Sequence, residues 1–335
     1  MIIKENVILA PYTTFKIGGP ARYFCEVGNI IEFREALKFS KENNLRFFIL
    51  GGGSNILFSG KGFSGLVIKM EIKGLKFKDD KDYSILIAGA GESWDDVVEK
   101  AVERNLGGIE NLSLIPGTAG GAVCQNIGAY GVELKDVLLG VEVFDAKSGG
   151  IKTFFNKDCH FGYRDSVFKN RDDLVILKVD LKLLKNLEPN IKYPDLVKFF
   201  ENVTPSIVGV RQAVINIRKK KLPYPSEVGN AGSFFKNPII EMSGYQFLIS
   251  KHSDLKGYDM GSGWVKLLAG QLIEKCGWKG KQLGNVGVSD KHSLVLVNYG
   301  NGTAEEVIHF SEEIKRSVKD RFGIELEPEV EVVDN

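Results

Sequence analysis

Phe47-Phe48-Ile49-Leu50-Gly51-Gly52-Gly53-Ser54-Asn55-Ile56-Leu57 runs from a short apolar stretch of buried-strand length into three glycines, two small polar residues and a second apolar pair. Glycines at a strand end let backbone N–H groups come close to a pyrophosphate, and Ser54 and Asn55 can add donors. Three glycines alone serve a tight turn equally well. The stretch departs from the usual dinucleotide fingerprint, because the last glycine of G-x-G-x-x-G is missing and Ile56-Leu57 reads as extended where a helix should open. It is not a P-loop either, since no G-K-[ST] comes after it.

On the N-terminal side of this strand, Ile30, Phe33 and Leu37 recur at helical spacing, and on the other side Leu66-Val67-Ile68 reads as its neighbour. A second unit opens with the strand Ile85-Leu86-Ile87-Ala88. Ser93 with Asp96 then resembles a cap on a helix whose apolar face is Trp94, Val97, Val98, Ala101 and Val102. The next segment is uncharged and glycine-rich: Ile115-Pro116-Gly117-Thr118-Ala119-Gly120-Gly121-Ala122, continuing through Gln125-Asn126-Ile127-Gly128-Ala129-Tyr130-Gly131. A loop this long is unusual in a packed domain unless it wraps a ligand. Thr118 and Asn126 offer polar handles, Tyr130 can stack or plug the core, and Cys124 reads as a small buried filler. Two such loops separated by a βα unit point to a nucleotide cofactor more strongly than either alone.

Downstream, Val141–Val143 and Ile151–Phe155 flank Lys147-Ser148-Gly149-Gly150 as a hairpin, and Val175 to Leu183 alternates as a half-buried strand. The polar stretch from Lys185 to Lys192 is the best boundary. Beyond it, Val210, Ala213, Val214 and Ile217 define a helix running into Arg218-Lys219-Lys220-Lys221. Val265, Leu268, Ala269, Leu272 and Ile273 suggest another, stopped by Gly277. A last helix starts at Thr303 with Glu306 as capping-box partner and ends at Gly323, and a strand from Glu329 to Val333 closes the chain. The class is α+β with mixed sheets, expected as segments 1–72, 73–190, 191–328 and 329–335.

Lys plus Arg total 44 against 43 Asp plus Glu, so no global field recruits nucleic acid, and any anionic ligand needs a local site. Cys25, Cys124, Cys159 and Cys276 form no C-x-x-C pair, which suits reduced thiols better than a disulfide frame or a zinc site. No H-E-x-x-H or Cys/His cluster supports metal catalysis, so no metal is expected. The start Met1-Ile2-Ile3-Lys4-Glu5-Asn6 does not read as a signal peptide and no apolar run reaches the length of a membrane span, so a cytoplasmic protein without membrane or nucleic-acid partners is expected.

The two glycine loops together resemble the FAD-binding domain of a large group of flavin oxidoreductases. Within that group, the chain is similar from end to end to the UDP-N-acetylenolpyruvoylglucosamine reductase (MurB) family. The likeness is carried by Thr13-Thr14-Phe15-Lys16-Ile17-Gly18-Gly19-Pro20-Ala21, both loops, Gln125 to Gly131, and Tyr163-Arg164-Asp165-Ser166. It continues through Gly229-Asn230-Ala231-Gly232-Ser233-Phe234-Phe235-Lys236-Asn237-Pro238 and Leu326-Glu327-Pro328-Glu329-Val330. The glycine loops indicate only the wider group, and the last three segments are far more specific.

The resemblance implies a two-lobed FAD-binding domain of the PCMH-type (vanillyl-alcohol-oxidase-like) fold and a C-terminal α+β substrate-binding domain, with the final segment returning to the active site. It implies noncovalent FAD, NADPH as electron donor, and reduction of UDP-N-acetylenolpyruvoylglucosamine to UDP-N-acetylmuramate in peptidoglycan synthesis; a monomer is expected, though no residue pattern reveals the oligomeric state. Carried over residue by residue, Arg164 stabilises negative charge beside the substrate carboxylate, Ser233 donates a proton, and Glu329 is an acid or orienting partner. Gly51, Gly52, Gly53, Ser54, Asn55, Pro116, Gly117, Thr118, Gly120, Gly121, Asn126 and Gly128 fall at cofactor positions. Tyr193, Lys221 and Asn237 fall at substrate positions. Tyr193-Pro194-Asp195-Leu196 resembles the substrate-covering segment of the family's longer form, with Pro194 departing from its pattern.

Outside that resemblance, Arg164 suits a surface ion pair with Asp165, Ser233 a loop backbone bond, and Glu329 a solvated strand face among Glu325, Glu327 and Glu331. Two rivals stand beside the reductase. One is another FAD oxidoreductase of the same cofactor fold, although His160, His252, His292 and His309 all lie away from the loops and so argue against covalent flavin. The other is a non-catalytic nucleotide-binding module, which leaves Arg164, Ser233 and Glu329 unexplained.

Overall fold

The computed structural model describes residues 1–334; Asn335, the end of the expected C-terminal segment, lies outside the described residues. The chain forms two compact units: residues 1–7, 21–52 and 64–220 make the first, and residues 8–20, 53–63 and 221 onward the second. Residues 8–20 and 53–63, expected with the first lobe, group here with the C-terminal part of the chain.

In the first unit, the strand Phe47–Leu50 lies parallel to Phe63–Met70, with Phe47 opposite Leu66. These are the edge and inner members of a four-stranded sheet that continues through Pro20–Val27 to Lys4–Ile8. The helix Ile30–Glu42 starts where the Asn29 side chain accepts from the amides of Ile31 and Glu32, both at 3.0 Å, and buries Phe33 and Ala36.

The next sheet is five-stranded and antiparallel, in the order Gly150–Phe155, Leu138–Asp145, Leu174–Leu184, Tyr83–Gly89, Leu75–Asp79. The expected hairpin is its first pair. In Leu174–Leu184 the half-buried alternation holds only for the second half, where Val179, Leu181 and Leu183 are buried while Lys178 and Lys182 face water. Leu174 to Leu177 are buried throughout, and the helix Ala119–Cys124 packs on this strand.

That helix corrects an expectation, since glycine content alone makes the second stretch a continuous loop. Small residues allow the helix: Ala119 and Ala122 are buried, and a Cβ at Gly120 would meet the Cβ of Ala90 at 3.0 Å. The helix Trp94–Glu103 buries all five expected apolar residues, each large one stabilising the fold by about 1.5–3 kcal/mol. Ser93 occupies the cap position without making a side-chain cap bond. The entry to the helix is pinned by backbone instead, with the Trp94 amide donating to Gly117 O at 3.0 Å and the Ala119 amide to Glu92 O at 2.9 Å.

Glu110 lies in the same region, almost wholly buried, with its carboxylate accepting from the Gly108 amide at 2.6 Å. Burial raises its pKa against the opposing backbone bonds. The folded state thus holds the proton more tightly than the unfolded one, and stability is lost as pH rises through the window between the two values. Glu110→Gln keeps an acceptor for Gly108 and removes that loss. Its melting temperature should exceed wild type at about pH 8, with the gain shrinking toward about pH 4 where the unfolded carboxyl is also protonated. Thermal melts across that range check this.

The second unit has a sheet ordered Gly229–Ser233, Val295–Asn298, Val286–Val288, Gln282–Leu283, and a smaller one ordered Ile239–Glu241, Trp264–Leu267, Gly257–Asp259. Val265, expected on a helix, sits on a strand. It and Leu267 point inward at a period of two, and the helix begins only at Ala269–Lys275, stopped as expected by Gly277 at φ +78°. The helix Ala304–Phe322 opens with the expected box, Glu306 N to Thr303 Oγ1 at 3.1 Å and Thr303 N to Glu306 Oε2 at 2.8 Å, and closes at Gly323 with φ +69°. Ile56–Phe58 pairs in parallel with Glu331–Val333, so the last strand starts two residues after Glu329 rather than at it.

Candidate active site

In the first unit the two glycine loops meet back to back. A Cβ on Gly52 would lie 2.6 Å from Gly117 Cα and 3.0 Å from its carbonyl carbon, and one on Gly51 would lie 2.8 Å from Thr118 Oγ1. A side chain on Gly52 would force the backbones apart and one on Gly51 would displace the Thr118 hydroxyl, which explains the glycines without reference to any ligand. Lys69 Nζ donates to Gly51 O at 2.8 Å, and Thr118 Oγ1 accepts from the Gly121 amide at 3.4 Å at the start of its helix. Pro116 and Gly121 remain exposed on the joined surface. No acidic side chain occurs in 50–57 or 115–131, so the surface offers amides and hydroxyls without repelling an anion.

The chain enters the second unit after Gly52. Gly53 is held at φ +61°, and a Cβ there would sit 2.1 Å from Tyr12 O, while its own carbonyl accepts from the Thr14 amide at 3.0 Å. Asn55 ties the chain end down: Nδ2 donates to Glu329 O at 2.9 Å, and Asn55 O accepts from the Glu331 amide at 3.0 Å. Ser54 beside it is half-buried.

Those bonds bring two of the three expected catalytic residues together. The Glu329 amide donates to Phe234 O at 2.8 Å, Phe235 bridges to Pro328, and the Lys236 amide donates to Glu327 O at 2.9 Å. Glu329 therefore runs alongside the residues just after Ser233. Ser233 itself ends the strand Gly229–Ser233 opposite Val295, beyond a bulge at Ala231 and Gly232 that buries the alanine and exposes the glycine. Gly232 takes φ +71° in open space, and the buried Asn230 stabilises the bulge by accepting from the Gly232 amide at 3.0 Å. The Thr14 hydroxyl donates to Asn230 O at 2.7 Å, and Asn298 Nδ2 donates to Phe15 O at 3.1 Å. Thr14, Asn230 and Asn298 are thus braces of the serine strand. Asn298 carries no motif signal for this role, since Phe15, which its Nδ2 reaches, is distant in sequence.

Arg164 belongs to the first unit. It sits in a tight turn closed by reciprocal backbone bonds between Gly162 and Asp165 (3.0 and 3.3 Å), at φ +55°, a region a non-glycine residue enters only when its surroundings require it. Arg164 Nη2 donates to Gly128 O at 2.6 Å, and the guanidinium carbon lies 5.3 Å from the centre of the Tyr163 ring. A Cβ on Gly128 would come within 2.9 Å of both Arg164 Nη1 and Glu133 Cγ, so a side chain there would displace the guanidinium. Asn126, expected to touch cofactor, is fully buried and spends its amide on the same turn. Nδ2 donates to Gly162 O at 2.9 Å, and Oδ1 accepts from the Lys135 amide at 3.1 Å.

Among the expected substrate residues, Tyr193 is exposed and meets Tyr130 edge-on, ring centres 5.1 Å apart. Burial pushes the Tyr130 phenol up to about 12, with Tyr193 and Asp195 adding to the rise and Arg218 opposing it. The buried Asn111 binds this segment down, Nδ2 donating to Tyr130 O at 2.9 Å and to Asn190 O at 2.8 Å. Lys221, exposed at the end of the helix Ile207–Lys221, acts electrostatically on His292, whose pKa is lowered by burial first and by Lys221 and Lys279 next. Asn237 has its oxygen engaged, accepting from the Ala269 amide at 3.0 Å.

Comparison with known proteins matches residues 21–154 to the FAD binding domain family and residues 224–333 to the UDP-N-acetylenolpyruvoylglucosamine reductase C-terminal domain family. The chain is 43% identical over 99% of its length to the whole UDP-N-acetylenolpyruvoylglucosamine reductase of Flavobacterium johnsoniae. It is 42% identical to that of Pseudomonas aeruginosa, with 98% of each chain covered. The crystal structure of the Thermus caldophilus enzyme superposes with a TM-score of 0.71 at 28% identity, covering 99% of both chains. The α+β class and the PCMH-type FAD-binding domain rest on these matches.

Proposed function

The chain belongs to the UDP-N-acetylenolpyruvoylglucosamine reductase family, and from that premise we propose that Arg164, Ser233 and Glu329 carry the chemistry of an NADPH-dependent flavoenzyme that makes UDP-N-acetylmuramate for peptidoglycan. Bound, noncovalent FAD supplies the redox chemistry, relaying electrons from NADPH to one carbon of the enolpyruvyl alkene. The protein's own residues manage the charge and the proton.

A hydride arriving at one alkene carbon leaves negative charge on the other, next to the substrate carboxylate. Arg164 stabilises that charge: guanidinium stays protonated and grips a carboxylate through parallel hydrogen bonds. Its bond to Gly128 O and its strained turn fix the side chain before substrate arrives. Ser233 delivers the proton, which requires a hydroxyl held against a strongly basic carbon. Glu329, on the neighbouring segment, orients or re-protonates that hydroxyl. Tyr193 and Lys221 contact the UDP-sugar, as does Asn237 through its amide nitrogen, Lys221 serving as a point charge for phosphate or carboxylate. Gly51, Gly52, Gly53, Ser54, Asn55, Pro116, Gly117, Thr118, Gly120, Gly121, Asn126 and Gly128 shape the FAD site, with Asn55 and Asn126 acting as supports.

The observation carrying these roles is the pairing of the Glu329 amide with Phe234 O, which sets the glutamate beside the serine strand. The decisive experiment mixes purified protein with FAD, NADPH and UDP-N-acetylenolpyruvoylglucosamine and weighs the product, which should gain two hydrogens; unchanged substrate would refute the proposal. Gly128→Ala tests Arg164 separately. The new methyl displaces the guanidinium, a mobile group that yields more cheaply than backbone, so turnover of the FAD-saturated variant should fall about tenfold. Steady-state rates and the flavin spectrum of the purified variant check this.

No helix among the described residues is long and apolar enough to cross a membrane. We place the enzyme in the cytoplasm as a monomer, in keeping with four cysteines that form no disulfide and a nearly balanced charge.

A further inference from the structure

We propose that Asp95 is a positioning residue for the loop 115–121, and that Arg211 holds Asp95 in the orientation this requires. The proposal rests on that loop contacting FAD. Leu114, the residue entering the loop, stands at φ +58°, a conformation that a leucine adopts only under constraint. Three bonds from the start of the helix Trp94–Glu103 supply the constraint. The Trp94 indole donates to Leu112 O at 2.9 Å, the Trp94 amide donates to Gly117 O at 3.0 Å, and Asp95 Oδ1 accepts from the Leu114 amide at 2.6 Å. The Asp95 bond is the charged and shortest of the three, and it acts on the strained residue itself.

A lone carboxylate rotates, and this one is clamped. Arg211, only 9% exposed, reaches Asp95 with both forks of its guanidinium, Nη1 to Oδ1 at 2.7 Å and Nη2 to Oδ2 at 3.2 Å. Nη2 also lies 3.4 Å from Glu99 Oε1. Two parallel bonds fix the plane of the carboxylate, and with it the direction in which Oδ1 meets the Leu114 amide. The loop has no slack to absorb a change, because Gly117 and Thr118 already crowd Gly52 and Gly51. Arg211, on the helix Ile207–Lys221, bonds to Asp95 and Glu99 and so reaches the loop through Asp95.

The test is a double-mutant cycle on FAD affinity, measured by titrating full-length protein with FAD and following flavin fluorescence. Asp95→Ala and Arg211→Met should each weaken FAD binding about tenfold, and the double variant should bind no more weakly than Asp95→Ala alone. A residue that merely supports the fold would lower the melting temperature of the FAD-free protein without this coupling. Gly121→Val, at an exposed position of the loop, reports on the loop's own role. If it weakens FAD binding while both single variants bind as wild type, or if the two single effects multiply in the double variant, the positioning role is overturned and the loop keeps its function. If Gly121→Val also binds normally, the loop is not a flavin contact and the inference falls with it. Should Asp95→Ala or Arg211→Met fail to fold, Asp95→Asn and Arg211→Lys carry the same cycle with the same criteria.

Discussion

Ser233→Ala takes electrons from NADPH at the wild-type rate and then passes them to the enolpyruvyl substrate about 10²- to 10⁴-fold more slowly, the usual cost of a lost proton transfer. The asymmetry is the point of the experiment, since only the second half-reaction needs a proton on carbon. The variant should fold normally. The strand Gly229–Ser233 is held by Thr14, Asn230 and Asn298 rather than by the serine, and the Glu329 amide binds the carbonyl of Phe234. Stopped-flow absorbance of the flavin separates the two phases. Reoxidation at the wild-type rate would remove Ser233 from the mechanism.

Gly52→Ala is expected to purify largely colourless, with FAD affinity reduced about 10- to 100-fold. The added methyl meets Gly117 Cα at 2.6 Å and the Gly117 carbonyl carbon at 3.0 Å, and both belong to backbone that cannot swing aside. Overpacking of this kind costs about 1–3 kcal/mol, which corresponds to roughly that range in affinity if the strain is relieved by parting the two loops. Flavin titration of the variant against its FAD-free melting curve tells parted loops from general instability. Retention of wild-type affinity would mean that the loops tolerate separation, and the cofactor role of their junction would have to be given up.

Much of the fold is legible in the sequence because it is written in local pattern. The helix Ala304–Phe322 announces itself through Thr303, Glu306 and Gly323, and the hairpin about Lys147 to Gly150 through its turn residues. Local reading fails where tertiary partners outweigh local signals. Ser93 looks like a cap, yet backbone of the loop at Gly117 pins the helix. Val265 fits a helical period as well as a strand's, and its cross-strand neighbours Ile240 and Asp259 decide the matter. Motif resemblance singles out Ser233, Glu329 and Arg164, but it does not foretell that the Asn55 and Asn126 side chains hold backbone carbonyls of distant segments. Asp95 and Arg211 escape a sequence reading because nothing in either segment foretells the other across the intervening chain.

The interleaving of the two units has a consequence for biosynthesis. The stretches 8–20 and 53–63 leave the ribosome early, yet their partners are translated much later: Thr14 bonds to Asn230, Phe15 to Asn298 and Asn55 to Glu329. Closing loops of that size comes late in folding, so these segments, which bond to each other through Thr14 and Gly53, wait long for those distant partners. A ribosome that stalls before residue 329 therefore releases a chain whose N-terminal third is already made but has no strand on which to seat Ile56–Phe58.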